Sequence, residues 1–169
     1  MQTSALDIGE GVVLGFDFGA VRIGVSVGNG LTRAARALEI IDSRTVRARW
    51  QGVGRLIEQW RPAACVVGLP RHPDGTPHEM TARALRFARQ LEGRHAGVPV
   101  FMTDERYSSA VLGDEALKED YIDDAAAAVI LQQWFDEGGW PVGALALVEQ
   151  PQPSGDEVRR VLVCGGREI

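Results

Sequence analysis

Residues 15–28 read GFDFGAVRIGVSVG, and the fold turns on how they are read. They continue an apolar run that starts at Val12, so VVLGFDF over 12–18 is expected to be a short buried strand. RIGVSVG over 22–28 alternates and reads as a second strand, and the link between them is short enough for a hairpin. The two should therefore run antiparallel. Asp17 stands inside the first of them. A carboxylate in an apolar strand is expensive to bury unless something compensates it. It could hydrogen-bond to the hairpin backbone, but its place in a strand interior points instead to a charged site.

Working outward, AARALEII over 34–41 follows closely enough to complete a three-strand meander, although Ala and Leu also permit a helix. Over 44–60, Val46, Trp50, Val53, Ile57 and Trp60 recur at helical spacing with arginines between them, and Pro62 ends the run. ACVVGL over 64–69 is wholly apolar, the mark of a strand covered on both faces. The polar loop PRHPDGTPHE carries turn chemistry at Asp74-Gly75, and an arginine-rich helix is expected over 79–94. VPVFM over 98–102 reads as another buried strand running into Thr103-Asp104-Glu105-Arg106. Ser108 or Ser109 can cap a helix through about residue 118. A last helix begins near Asp123 and is stopped by Gly138-Gly139. A meander followed by alternating helix and strand gives a mixed α/β sheet with helices on its faces. The expected division is a domain over 1–137 and a C-terminal extension over 138–169, a short hairpin or a loosely attached tail.

Bulk properties narrow the function. The 169 residues suffice for one domain with a real core. No apolar run is long enough to span a membrane, and the first residues do not read as a secretory signal, so a cytoplasmic protein without membrane contact is expected. The net charge of -5 argues against coating nucleic acid by bulk charge. It is compatible with a carboxylate site, which adds negative charge of its own and which bound cations locally reverse. Cys65 and Cys164 have no metal-ligand spacing, and His72, His78 and His95 are scattered in polar segments. Neither a nucleophile elbow nor a P-loop nor a zinc motif occurs.

What remains is a set of acids at strand ends: Asp17, the pair Asp104 and Glu105, and the pair Asp123 and Asp124 at the start of the last helix. Each has a structural alternative. Asp104 can pair with Arg106, and Asp123 or Asp124 is a natural helix cap. As a set they suit Mg²⁺ or Mn²⁺, which prefer hard oxygen ligands. Two such ions among clustered carboxylates can activate water and stabilise the departing oxygen in phosphodiester cleavage.

Four stretches in this order, GFDFGAVRIGVSVG, VVGLPRHPDGTPHEMTARALRFA, DERYSSA and IDDAAAAVILQQWF, resemble the YqgF family, which is similar to the RuvC Holliday-junction resolvases and described as nucleases of pre-16S ribosomal RNA. The resemblance spans about residues 12–137. It implies an RNase H-like fold: a mixed five-stranded sheet, three strands in an antiparallel meander plus two parallel, with helices on both faces. It also implies a Mg²⁺- or Mn²⁺-dependent nuclease acting on RNA or DNA. On the family pattern the catalytic, metal-holding acids fall on Asp17, Glu105 and Asp123, with Asp104 and Asp124 in support. Arg22, Arg71 and Arg106 are the candidates to hold substrate phosphates.

The chain departs from the family pattern in three places. LGDEALKEDY over 112–121 is short and acidic where relatives carry a longer glycine- and lysine-bearing stretch. Arg71 and His72 replace apolar and amide residues, and the segment after 138 goes beyond the usual core. Cleavage of a junction would require a homodimer, since it needs two symmetric sites. Two other readings stand beside the nuclease. A non-catalytic RNase H-like scaffold for RNA or protein is compatible with the short loop. A nucleotide-binding module of the actin and Hsp70 type shares the strand–Asp–Gly–hairpin start, but this chain has no room for a second lobe.

Overall fold

A computed structural model of the chain describes residues 9–105 and 124–169, apart from 154 and 156. Its main sheet has six strands in the order β3-β2-β1-β4-β5-β6. Strands β1 (Val12–Phe18), β2 (Arg22–Asn29) and β3 (Arg36–Asp42) form the antiparallel meander. Strands β4 (Ala64–Leu69) and β5 (Val100–Asp104) then add in parallel with β1. Helix α1 (Val46–Trp60) connects β3 to β4, α2 (Thr81–Arg94) connects β4 to β5, and α3 (Asp124–Glu137) follows β5. This is the α/β, RNase H-like arrangement expected.

The strand count differs by one. Strand β6 (Trp140–Pro141) runs antiparallel to β5, pairing Met102 with Trp140 and Phe101 with Pro141. The physical reason is the glycine pair expected only to stop the helix. Gly138 takes a positive φ of 79° and caps α3 by donating its N–H to the Trp134 carbonyl. Gly139 then passes against the Met102 carbonyl, where no side chain would fit. The chain is thereby laid along the free edge of β5.

Alternation along the central strands sorts side chains between two layers. Leu14 and Phe16 of β1, with Cys65 and Val67 of β4, face α1 and α2. On that side Phe87 is the hub: Trp50 stacks on it with ring centroids 5.3 Å apart, and Phe16 meets it edge-on at 5.9 Å. Burial pushes the Cys65 thiol up to about 12, so it is a core filler rather than a nucleophile. Val13, Ala64 and Val66 face α3, where they pack on Ile130, Leu131 and Trp134. Helix α3 sits unusually close. Gly15 has no space for a Cβ beside Leu131, and the Ser26 hydroxyl donates to the Ala127 carbonyl at 2.7 Å.

Residues 138–169 form more of the molecule than a pendant tail. After β6, strands β7 (Leu145–Pro151), β8 (Val158–Cys164) and β9 (Arg167–Glu168) make a second antiparallel sheet. Its Leu145, Leu162 and Cys164 join the core on the α2 side, together with Trp140 and Val142. Arg89 of α2 ties the sheet down through a 2.6 Å hydrogen bond to the Leu145 carbonyl. Among the described residues no helix is long and apolar enough to cross a membrane.

Candidate carboxylate site

The site is set by strand register. Asp17 has the parity of Val13 and Gly15, so it lies on the face that α3 covers. Opposite it on β2 is Gly24. On β4, the parallel register that pairs Phe16 with Val67 brings Gly68 alongside. Asp17 is thus flanked on both neighbouring strands by residues without side chains.

Glu105 enters the same space from the end of β5. Its N–H continues the ladder to the Leu69 carbonyl at 3.2 Å. A Cβ on Gly68 would land on the Glu105 carboxylate and within 2.6 Å of Ile130. The bare glycine is therefore what makes room for that carboxylate beneath α3. Burial first, then the negative charges of Asp17 and Asp104, hold the Glu105 carboxyl well above the usual glutamate range. Carboxylate oxygens are hard donors, and a set of them crowded in this way suits a hard divalent cation.

Helix α3 brings its first turn to the same place. Phe135 lies over Gly28, which is paired with Val13, while Ala127 and Leu131 lie over Gly15. The helix thus runs antiparallel to β1, and its first residue, Asp124, falls at the Asp17 end. Asp123 and Arg106 lie outside the described residues, as does the helix expected to follow Ser108 or Ser109. Among the described residues no three acidic, histidine or cysteine side chains cluster closely enough to hold a metal.

Asp104 has the opposite parity to Glu105 and faces the other layer. There its carboxylate meets the Arg71 guanidinium at 2.5 Å, with the Arg71 side chain 2 % exposed and that of Asp104 12 %. Arg71 also donates to the main-chain oxygen of Ile169 at 2.9 Å and lies over the Trp140 ring. It was expected to be presented to substrate phosphate; the structure has it buried and joined to Asp104. The strand-end pair is split, one acid per face. Arg22 is exposed at the start of β2, at the same sheet edge as Asp17.

Sequence reasoning assigned no role to Gly24, Gly68 or Gln133. Gln133 of α3 donates to the Asp104 carbonyl and so fixes the backbone that carries Glu105. The signal for the glycines was present in IGVS and VVGLP, where single glycines interrupt buried strands.

Comparison with known proteins identifies the family. The family model described as RuvX, Holliday junction resolvase, matches residues 11–137. A Burkholderia vietnamiensis protein named "Putative pre-16S rRNA nuclease" is 52% identical over 137 residues, covering 76% of this chain and 91% of that protein. A Paraburkholderia xenovorans protein of the same name is 51% identical over 131 residues, covering 75% and 89%. Among solved structures, Thermus thermophilus RuvC in complex with Holliday junction substrate aligns with a TM-score of 0.44 and 23% identity, covering 73% of this chain and 92% of that one. On the family match and the relatives at half identity, the chain belongs to the RuvX family of nucleases described as Holliday junction resolvases.

Proposed function

We propose that the protein is a divalent-metal-dependent nuclease whose metal site is formed by Asp17, Glu105 and Asp123, with Asp124 in support. The observation that carries this reading is the pairing of Asp17 and Glu105 on one face, in a space kept open by Gly68, with Gly24 opposite Asp17 on β2. The raised pKa of Glu105 is the electrostatic counterpart of that geometry. Mg²⁺ or Mn²⁺ bound there supplies charge neutralisation, activation of water and stabilisation of the leaving oxygen.

The chain's own residues do the rest. Asp17 and Glu105 bring their carboxylates to the same face of the sheet, and Gln133 fixes the backbone from which Glu105 projects. Asp104, clamped by Arg71, is a positioning residue: its ion pair holds the end of β5 so that the next side chain points under α3. Arg22, exposed at the edge, is the proposed phosphate contact, with Arg106 beside the acid pair in sequence. The favoured substrate is structured RNA of the kind named for the relatives, in 5'-end processing of pre-16S rRNA in the cytoplasm. A second reading, cleavage of four-way DNA junctions, follows the family's description and requires a homodimer for symmetric cutting; single-stranded DNA is the further substrate proposed beside it.

The test is a cleavage panel with Mn²⁺ or Mg²⁺ on structured RNA, single-stranded DNA and four-way junctions, alongside a solution mass. Asp17→Asn is expected to abolish cleavage and weaken Mn²⁺ binding. A wild type that cuts none of the three, with Mn²⁺ binding untouched by Asp17→Asn, overturns the reading in favour of a non-catalytic scaffold.

A further inference from the structure

The chain is acidic overall, yet one concavity is lined by positive charge alone. Between the first turns of α1 and α2 lies a cleft of about 250 Å³ whose lining includes Phe18, Arg49, Arg83, Arg86 and Gln90, and no carboxylate. Arg83, Arg86 and Gln90 recur at helical spacing on one face of α2, around the buried Phe87. Among the described residues none of the three arginines forms an ion pair. Arg83 and Arg86 are exposed.

Arg49 is the fixed member. Its Nε donates to the Ser43 hydroxyl at 2.9 Å, and its guanidinium lies 5.0 Å from the centre of the Phe18 ring. Burial, and then the charge of Arg83, work against its protonated form. Like charges gathered in a cleft without a counter-charge favour an anion, and the N-terminal ends of two helices reinforce that field.

Position gives the anion an identity. Phe18 directly follows Asp17 on β1 and faces the opposite layer, so the cleft and the carboxylate site sit back to back across the end of one strand. A polyanion lying over that sheet edge meets both. We propose that this cleft grips backbone phosphates of the nucleic-acid strand flanking the scissile bond, with Arg49 as the preset contact and Arg83 and Arg86 as the exposed ones. The proposal rests on the nuclease reading for what the strand is, but not for whether the cleft binds it.

The experiment is equilibrium binding of labelled single-stranded RNA and DNA oligonucleotides to the full chain in EDTA, across a salt series. Binding in chelator is read apart from cleavage, so the two proposals can fail separately. Arg83→Gln combined with Arg86→Gln is expected to weaken binding about tenfold at low salt. It should also lower the log–log salt slope by ~1.4, about 0.7 for each single-strand phosphate that is no longer neutralised. RNA and DNA should respond alike, because phosphates are read and bases are not. Arg83→Lys with Arg86→Lys keeps both charges and the wild-type slope. Arg47→Gln, an exposed arginine of α1 outside the cleft, leaves binding unchanged. A change below twofold in the double Gln variant, an unaltered slope, an equal loss in Arg47→Gln, or an effect on only one nucleic acid overturns the proposal.

Discussion

Glu105 is held where its own charge is unwelcome, and this has a measurable sign. Its folded-state pKa is raised above the ordinary 4.5 by burial and by Asp17 and Asp104. A carboxyl of this kind stabilises the fold fully below the unfolded value, and that contribution is lost as pH rises through the folded-state pKa. Each kcal/mol of that loss corresponds to about 2–4 °C in melting temperature for a chain of this size. In chelator at neutral pH, Glu105→Gln is therefore expected to melt higher than the wild type, with the gap closing as the pH falls toward 4.5. Mn²⁺ should reverse the order, because only the wild type gains the full neutralisation. Calorimetry at several pH values decides it, and a Gln variant that melts lower in chelator at pH 7 contradicts the electrostatic account. Asp17 was legible in the sequence because a charge in an apolar strand has few explanations. Gly24 and Gly68 were not, because what a glycine makes room for depends on which strands become neighbours. The burial of Arg71 was equally hidden: Asp104, Trp140 and Ile169, which surround it, are far from it in sequence.

The elements were legible to the extent that each one's pattern is its own. The periodicity of α1 was readable, and its boundaries needed only the Thr45 side chain accepting from the Ala48 N–H, and Arg61 in the left-handed region at φ 46°. Strand β5 was expected over 98–102 and is found over Val100–Asp104. The apolar run does not mark the strand; its ladder with β4 does, and that ladder pairs Leu69 with Asp104. No local signal set the distance of α3 from the sheet. It is fixed by Gly15 and by the hydrogen bond from Ser26 to the Ala127 carbonyl, both of which bear on where the first turn of α3 meets Asp17. Ser26→Ala removes that bond while the carbonyl keeps its partner within the helix, and should cost about 0.5–1.5 kcal/mol in equilibrium unfolding. Gly15→Ala should cost more than Ser26→Ala, since its Cβ would sit 2.8 Å from the Leu131 Cβ and 3.3 Å from the Ala127 carbonyl, so the whole helix must shift. It should also reduce cleavage by moving the end of α3 that carries Asp124. If Gly15→Ala proves the milder of the two, close approach is not what seats this helix.

At the scale of the molecule, the family match and the physical unit end at different places. The match stops at residue 137, where the resemblance in the sequence also ran out. The core does not stop there. Beyond that point Trp140, Val142, Leu145, Leu162 and Cys164 are buried against the layer that holds α2, and β6 occupies the edge of β5. The same segment supplies the Ile169 oxygen and the Trp140 ring to Arg71, and through Arg71 it reaches Asp104 and the end of β5. A chain ending at Glu137 would expose the apolar side of α2, unpair β5 and take the Ile169 oxygen and the Trp140 ring away from Arg71. Deleting a single large buried aliphatic side chain typically costs about 2–5 kcal/mol, against a typical total stability of about 5–15 kcal/mol. The loss of five buried apolar residues together should therefore exceed what the domain can bear. The expected result is that residues 1–137 alone are insoluble, or unfold without a cooperative transition, while Leu162→Ala in the full chain remains folded and melts several degrees lower. Chemical denaturation followed by tryptophan fluorescence and circular dichroism reads both. A 1–137 fragment that unfolds cooperatively within a few degrees of the full chain would instead make the second sheet an accessory, and the carboxylate site would then stand without the clamp on Asp104 that Arg71 and Ile169 provide.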